Sequence, residues 1–153
     1  MHVVIAADHA GIQLKRDLIE TLGAAGHTVT DLGAQSEESC DYPDYAVAAA
    51  NKVASGEADK GVLICGTGIG MSISANKVPG IRAAAVSDPV SAKLARSHND
   101  ANIVCLGARI VGPEVAAEIV QAFVATPFSG GERHVRRVGK IMALDCANRP
   151  EEV

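Results

Sequence analysis

Five short apolar runs, at 2–7, 28–32, 61–65, 82–86 and 102–106, punctuate the chain without the clean polar alternation of strands that have one wet face. Between them lie stretches of helical character at 12–25, 43–54, 72–77, 89–97 and 113–125. Strands covered on both faces and joined by helical crossovers make a parallel sheet between helical layers. The expected fold is therefore α/β: a three-layer αβα sandwich around a doubly wound, five-stranded parallel sheet of the Rossmann-like kind. After Pro127, Gly130-Gly131 introduces a last helix, at about 133–147, on which Arg133, Arg137 and Lys140 share one stripe at i, i+4 and i+7. A solvated helix face would look the same.

In such sheets ligands bind beyond the carboxyl ends of the strands. The polar residues expected at those exits are Asp8 and His9, Cys65 and Thr67, Ser87 and Asp88, and Arg109. The segment Gly61-Val62-Leu63-Ile64-Cys65-Gly66-Thr67-Gly68-Ile69-Gly70 says most, because an apolar strand runs into a cysteine, three alternating glycines and a helix start. Glycines let backbone N–H groups approach a ligand, and a thiol at that mouth sits where a thiolate is favoured. The arrangement suits phosphate binding or stabilisation of a transient oxyanion beside a basic sulfur. A buried cysteine in a tight turn is the plainer alternative.

Asp8 is a preferred helix cap and needs no further role, whereas His9 has less structural reason to be there. His98-Asn99-Asp100 ends the helical 89–97 stretch, where a histidine complements a helix C-terminus. Asp8, His9, His98 and Asp100 could in principle ligate a metal, but no HxH, HExxH or paired-cysteine spacing accompanies them, so no metal is expected. The glycine loop lacks the Gly-Lys-Ser/Thr of a P-loop and the third glycine of GxGxxG, which weakens nucleotide binding; Asp88, placed where a ribose-binding acid could sit, keeps it as an alternative. Pro43 suits a first helical turn and sets Tyr42 at its lip.

The 153 residues, 48% of them hydrophobic, suffice for one domain over 1–153 with a core that needs no disulfides. A net charge of −4, two Phe, two Tyr and no Trp argue against a nucleic-acid partner. Cysteines at 40, 65, 105 and 146 lack CxxC spacing, and neither a basic leader nor a spanning apolar run is present. A cytoplasmic location, with no membrane association, is the expectation.

Seven fragments stand in order: Ala7-Asp8-His9-Ala10-Gly11, Asp41-Tyr42-Pro43, Ile64 to Gly70, Ala75-Asn76-Lys77, Gly80 to Ala84, His98 to Asn102 and Gly107-Ala108-Arg109. With them the chain resembles ribose-5-phosphate isomerase type B from Met1 to about Met142, within a wider family that includes galactose-6-phosphate and allose-6-phosphate isomerases. The resemblance implies interconversion of D-ribose 5-phosphate and D-ribulose 5-phosphate through a cis-enediol(ate), in the pentose phosphate pathway, with no metal or organic cofactor. It implies Cys65 as catalytic base, His98 as the acid that opens the sugar ring, and Thr67 with the amides of Gly66, Thr67, Gly68, Ile69 and Gly70 around the reacting oxygen. Asp8 and Tyr42 would line the sugar, Asn99 would hold a hydroxyl, and His9, Arg109, Arg133 and Arg137 would contact the substrate, its phosphate above all. Many relatives read Gly-Gly-Arg-His where this chain has Gly130-Gly131-Glu132-Arg133-His134. The family's dimers, or dimers of dimers, imply sites shared across an interface that includes the C-terminal helix. A hexose 6-phosphate isomerase and a non-catalytic phosphosugar or nucleotide-binding protein are the alternatives.

Overall fold

The computed structural model describes residues 1–147; the expected domain's last residues, 148–153, lie outside the described residues. Twelve elements follow in order: β1 (His2–Ala7), a 3-10 turn (His9–Gly11), α1 (Ile12–Ala24), β2 (Thr28–Asp31), α2 (Tyr42–Ala54), β3 (Lys60–Cys65), α3 (Ile69–Ala75), β4 (Ala83–Ala85), α4 (Pro89–Asn99), β5 (Ile103–Gly107), α5 (Pro113–Ala125) and α6 (Glu132–Ala147). The five strands form one parallel sheet in the order β2-β1-β3-β5-β4.

Strand side chains alternate between two apolar cores, as a period of two requires. Val3, Ile5, Val62, Ile64, Val104 and Leu106 face α1, α4 and α5, where Leu14, Leu18, Ala95, Ile119 and Phe123 cover them. Val4, Ala6, Leu63, Cys65, Ile103 and Cys105 face α2 and α3, where Ala46, Ala49, Ala50, Met71 and Ala75 are small enough to let the helices sit close. Both faces being buried explains why the strands read as near-continuous apolar runs. The three-residue β4 closes one edge, short as exposed edges commonly are.

Several boundaries differ from expectation. The helix expected at 72–77 begins three residues earlier, because the left-handed Gly68 (φ 79°) turns the chain straight into α3. The helix expected at 89–97 extends to Asn99 and is capped by Asp100 at φ 47°. Asp100 holds that conformation through Arg96 Nη1 and Arg82 Nη2, which donate to its two carboxylate oxygens at 2.8 and 3.0 Å. His98 and Asn99 thus lie in the last turn of α4, not beyond it.

Candidate active site

The strand order reverses between β1 and β3, and in such sheets ligands bind in the crevice beyond the carboxyl ends at that point. Asp8 N–H donates to the carbonyl of Ile64 at 3.0 Å, which sets the exit of β1 against the exit of β3. The Asp8 carboxylate is buried and accepts the Ala10 N–H at 2.9 Å, so it caps the 3-10 turn His9–Gly11, while the N-cap of α1 itself is Gly11. His9 follows, with Nδ1 accepting the Cys40 N–H at 3.3 Å; this bond pins the long 33–41 loop to the crevice. That loop is fastened from below by Lys15, fully buried, whose Nζ donates to Asp31 Oδ1 and to the Ala34 carbonyl, both at 2.7 Å.

Cys65 ends β3 with 5% of its surface exposed, and its Sγ receives the Gly68 N–H at 3.1 Å. That amide shares any negative charge that develops on sulfur. Ile69 N–H donates to Thr67 Oγ1 at 3.3 Å, so two of the five loop amides hold the Cys65 and Thr67 side chains. Gly68 has no room for a side chain, since a Cβ there would lie 2.9 Å from the backbone of Leu106. At Gly70 the neighbour is a side chain: the Tyr42 ring, at the first position of α2, lies where a Cβ would come within 2.6 Å of it. On the other side the Arg109 side chain packs beside Gly66, and the Arg109 backbone N–H donates to the Gly66 carbonyl at 3.1 Å. Asp8, His9, Tyr42, Cys65, Gly66, Thr67, Gly68, Ile69, Gly70 and Arg109 therefore gather at one end of the sheet.

His98, Asn99, Arg133 and Arg137 do not join them. Helix α4 starts at the carboxyl end of the sheet and delivers His98 and Asn99 to the opposite end, where β5 begins. At ~3.3 Å per strand residue, the path from Asn102 to Ala108 puts roughly 20 Å between the two groups. Arg133 and Arg137, exposed in the first turns of α6, are held at the far end because Ser129 N–H donates to the Ser97 carbonyl at 3.0 Å and His134 stacks on His98. Glu132 opens α6 and leaves Arg133 and Arg137 one turn apart. The separation also divides Asp8 and His9 from His98 and Asp100, so these four do not form one ligand set.

Both ends of the sheet carry a hollow. At the first, Thr67, Ile69, Gly107 and Ile110 line a hollow against Ala85, Val86 and Ser87. At the second, a largely apolar cavity of about 270 Å³ lies between β4, α4 and α6, with Arg82, Asn99 and Ile141 on its walls.

Three groups escaped the sequence: His134, the Lys15–Asp31 pair and the Arg82–Asp100–Arg96 cluster. A lysine inside an apolar helical face was the one available signal for Lys15. Cys105, which has no glycine loop after it, lies wholly inside β5; burial, and then the nearby Cys65, push its thiol far up, so it acts as core.

The ribose/galactose isomerase family model matches residues 3–141. Escherichia coli ribose-5-phosphate isomerase B is 47% identical over 143 residues, covering 94% of this chain and 95% of that protein. The D-erythrulose-4-phosphate isomerase of Pectobacterium atrosepticum is 46% identical over 132 residues, 86% of this chain and 87% of its own length. The Clostridium thermocellum ribose-5-phosphate isomerase B structure superposes with a TM-score of 0.95 at 47% identity, across 97% of this chain and 100% of that one. With matching sequence and fold over nearly the whole length, the chain belongs to the ribose/galactose isomerase family and is an aldose–ketose isomerase.

Proposed function

We propose that this protein interconverts D-ribose 5-phosphate and D-ribulose 5-phosphate, as a cytoplasmic step of the pentose phosphate pathway, in sites built from two copies of the chain. The observation that carries the reading is Cys65 at the crevice mouth, with a loop amide on its sulfur and Asp8, Tyr42, Thr67 and Arg109 around it. His98 of a second copy protonates the ring oxygen as the furanose opens to the aldehyde. The Cys65 thiolate takes the proton from C2, charge appears on O1 of the cis-enediolate, the hydroxyl proton of O2 passes to O1, and the same sulfur returns its proton to C1 as O2 becomes the ketone. Thr67 and loop amides meet the oxygens, where preformed donors act most strongly. Asn99 holds a hydroxyl, and His9, Arg109, Arg133 and Arg137 meet the phosphate, to which forked guanidinium donors are well matched. The chemistry needs a base, an acid and oxyanion donors, all of which these residues supply without a metal or organic cofactor.

Exposed aliphatic side chains support the pairing of copies. Ile69 and Ile73 on α3, Val90 and Leu94 on α4, and Ile110 after β5 are each 44–64% exposed around the glycine loop and the β4 edge. Together with α6 they form the interface of a homodimer or a dimer of dimers.

The test is turnover of ribose 5-phosphate in EDTA, with allose 6-phosphate, galactose 6-phosphate and D-erythrulose 4-phosphate compared by kcat/KM. Cys65→Ala lowers kcat by about 100- to 10,000-fold with the fold intact, the range expected for loss of a positioned base. Full activity in that variant overturns the mechanism, and a higher kcat/KM for another sugar phosphate overturns the substrate.

A further inference from the structure

His134 has no part in the chemistry above, yet it is only 8% exposed in the first turn of a helix whose neighbouring Arg133, Val135, Arg136 and Arg137 are all exposed. Its imidazole lies flat on that of His98, with ring centroids 4.3 Å apart and planes 10° from parallel. Its Nε2 accepts the Nε–H of Arg133 at 3.3 Å. A ring nitrogen that accepts cannot also carry a proton, so the neutral ring has its hydrogen on Nδ1. Burial first, then the charges of His98, Arg133 and Arg137, hold this imidazole below the usual histidine range.

We propose that His134 is a positioning residue with two separable actions: its ring face orients the imidazole of His98, and its Nε2 orients the guanidinium of Arg133. The inference rests on the reading in which His98 opens the sugar ring and Arg133 holds phosphate. His134 touches neither substrate nor reacting atom; it makes one unit of an acid on α4 and a phosphate ligand on α6. An ordinary core residue would fill the same space, but it would not supply an acceptor to one neighbour and a flat platform to the other.

The two actions come apart by substitution. His134→Phe keeps a flat ring and loses the acceptor, so KM for ribose 5-phosphate rises about five-fold with kcat nearly unchanged. His134→Gln puts an amide oxygen near the place of Nε2 and loses the ring, so kcat falls about ten-fold while KM holds. His134→Ala does both. Thermal unfolding of each variant accompanies the kinetics, since a merely structural role lowers stability without splitting kcat from KM. Nitrogen NMR of the wild-type histidines tests the same point without any variant, and an unprotonated Nε2 on His134 is the expected result. The inference is overturned if Phe and Gln change kcat and KM in the same proportion, if neither changes them, or if Nε2 carries the proton. His98→Ala and Arg133→Ala are measured alongside. If those two leave turnover intact, the underlying reading fails and this one with it; if they impair it while the His134 variants behave as wild type, only this inference fails.

Discussion

Mixing two inactive variants should restore activity. Cys65 and His98 stand roughly 20 Å apart along β5 in one chain, whereas an extended pentose phosphate, with bonds near 1.5 Å, reaches roughly 8 Å. Proton transfer needs heavy-atom contact at about 3 Å, so one chain cannot present both groups to the same sugar. On the proposed reading, each site of a two-fold dimer takes Cys65 from one copy and His98 from the other. A mixed dimer of Cys65→Ala and His98→Ala chains then contains one site that has lost both groups and one that has lost neither. Random exchange makes about half of all dimers mixed, and each has one working site of two, so the mixture recovers about a quarter of wild-type turnover per chain. The assay is ribulose 5-phosphate formation after the two proteins are unfolded together and refolded, with mixed dimers counted by native mass spectrometry. Mixed dimers present at that proportion with no recovered turnover would refute the shared site.

Gly68→Ala forces a side chain into left-handed backbone and against Leu106, and should cost about 3 kcal/mol, lowering Tm by about 10 °C in differential scanning calorimetry. An unchanged Tm would show that the loop relaxes freely. Lys15→Met leaves the Asp31 carboxylate and the Ala34 carbonyl without their buried donor, for a loss of about 2–4 kcal/mol in urea unfolding; a loss under about 0.5 kcal/mol would remove Lys15 as the fastener of the 33–41 loop. Asp88 caps α4 by accepting from the Ser91 hydroxyl and N–H at 2.6 and 2.8 Å, which hold its carboxyl below the ordinary aspartate range. A lowered folded value means its stabilisation is complete above the ordinary value and fades as pH falls through the lowered one. Asp88→Ala should therefore lower Tm at neutral pH, with the gap to wild type closing below about pH 4; a gap independent of pH would contradict the cap.

Much of the local architecture could be read directly from residue order. Lys60 to Cys65 is an apolar strand, Gly68 is the turn and Ile69 to Ala75 the helix, all contiguous, so the expectation of a cysteine held at a glycine-rich mouth needed no tertiary information. The burial of both sheet faces was equally legible, because strands without polar alternation have nowhere to put a wet face. Less legible were helix ends: His98 and Asn99 belong to α4 because Asp100, not a glycine, takes the left-handed position, and two distant arginines keep it there.

Periodicity and motif order thus determined the layers, the strands and the chemistry of the Cys65 mouth, since each depends on neighbours within a few residues. Tertiary structure decided where those chemistries lie. The crossover of α4 between parallel strands put His98 at the end of the sheet opposite Cys65, and packing α6 on α4 set His134 against His98. Contacts between residues so distant along the chain leave no trace in hydrophobic spacing, because burial requires only an apolar partner, whereas the identity of that partner comes from the order in which strands assemble.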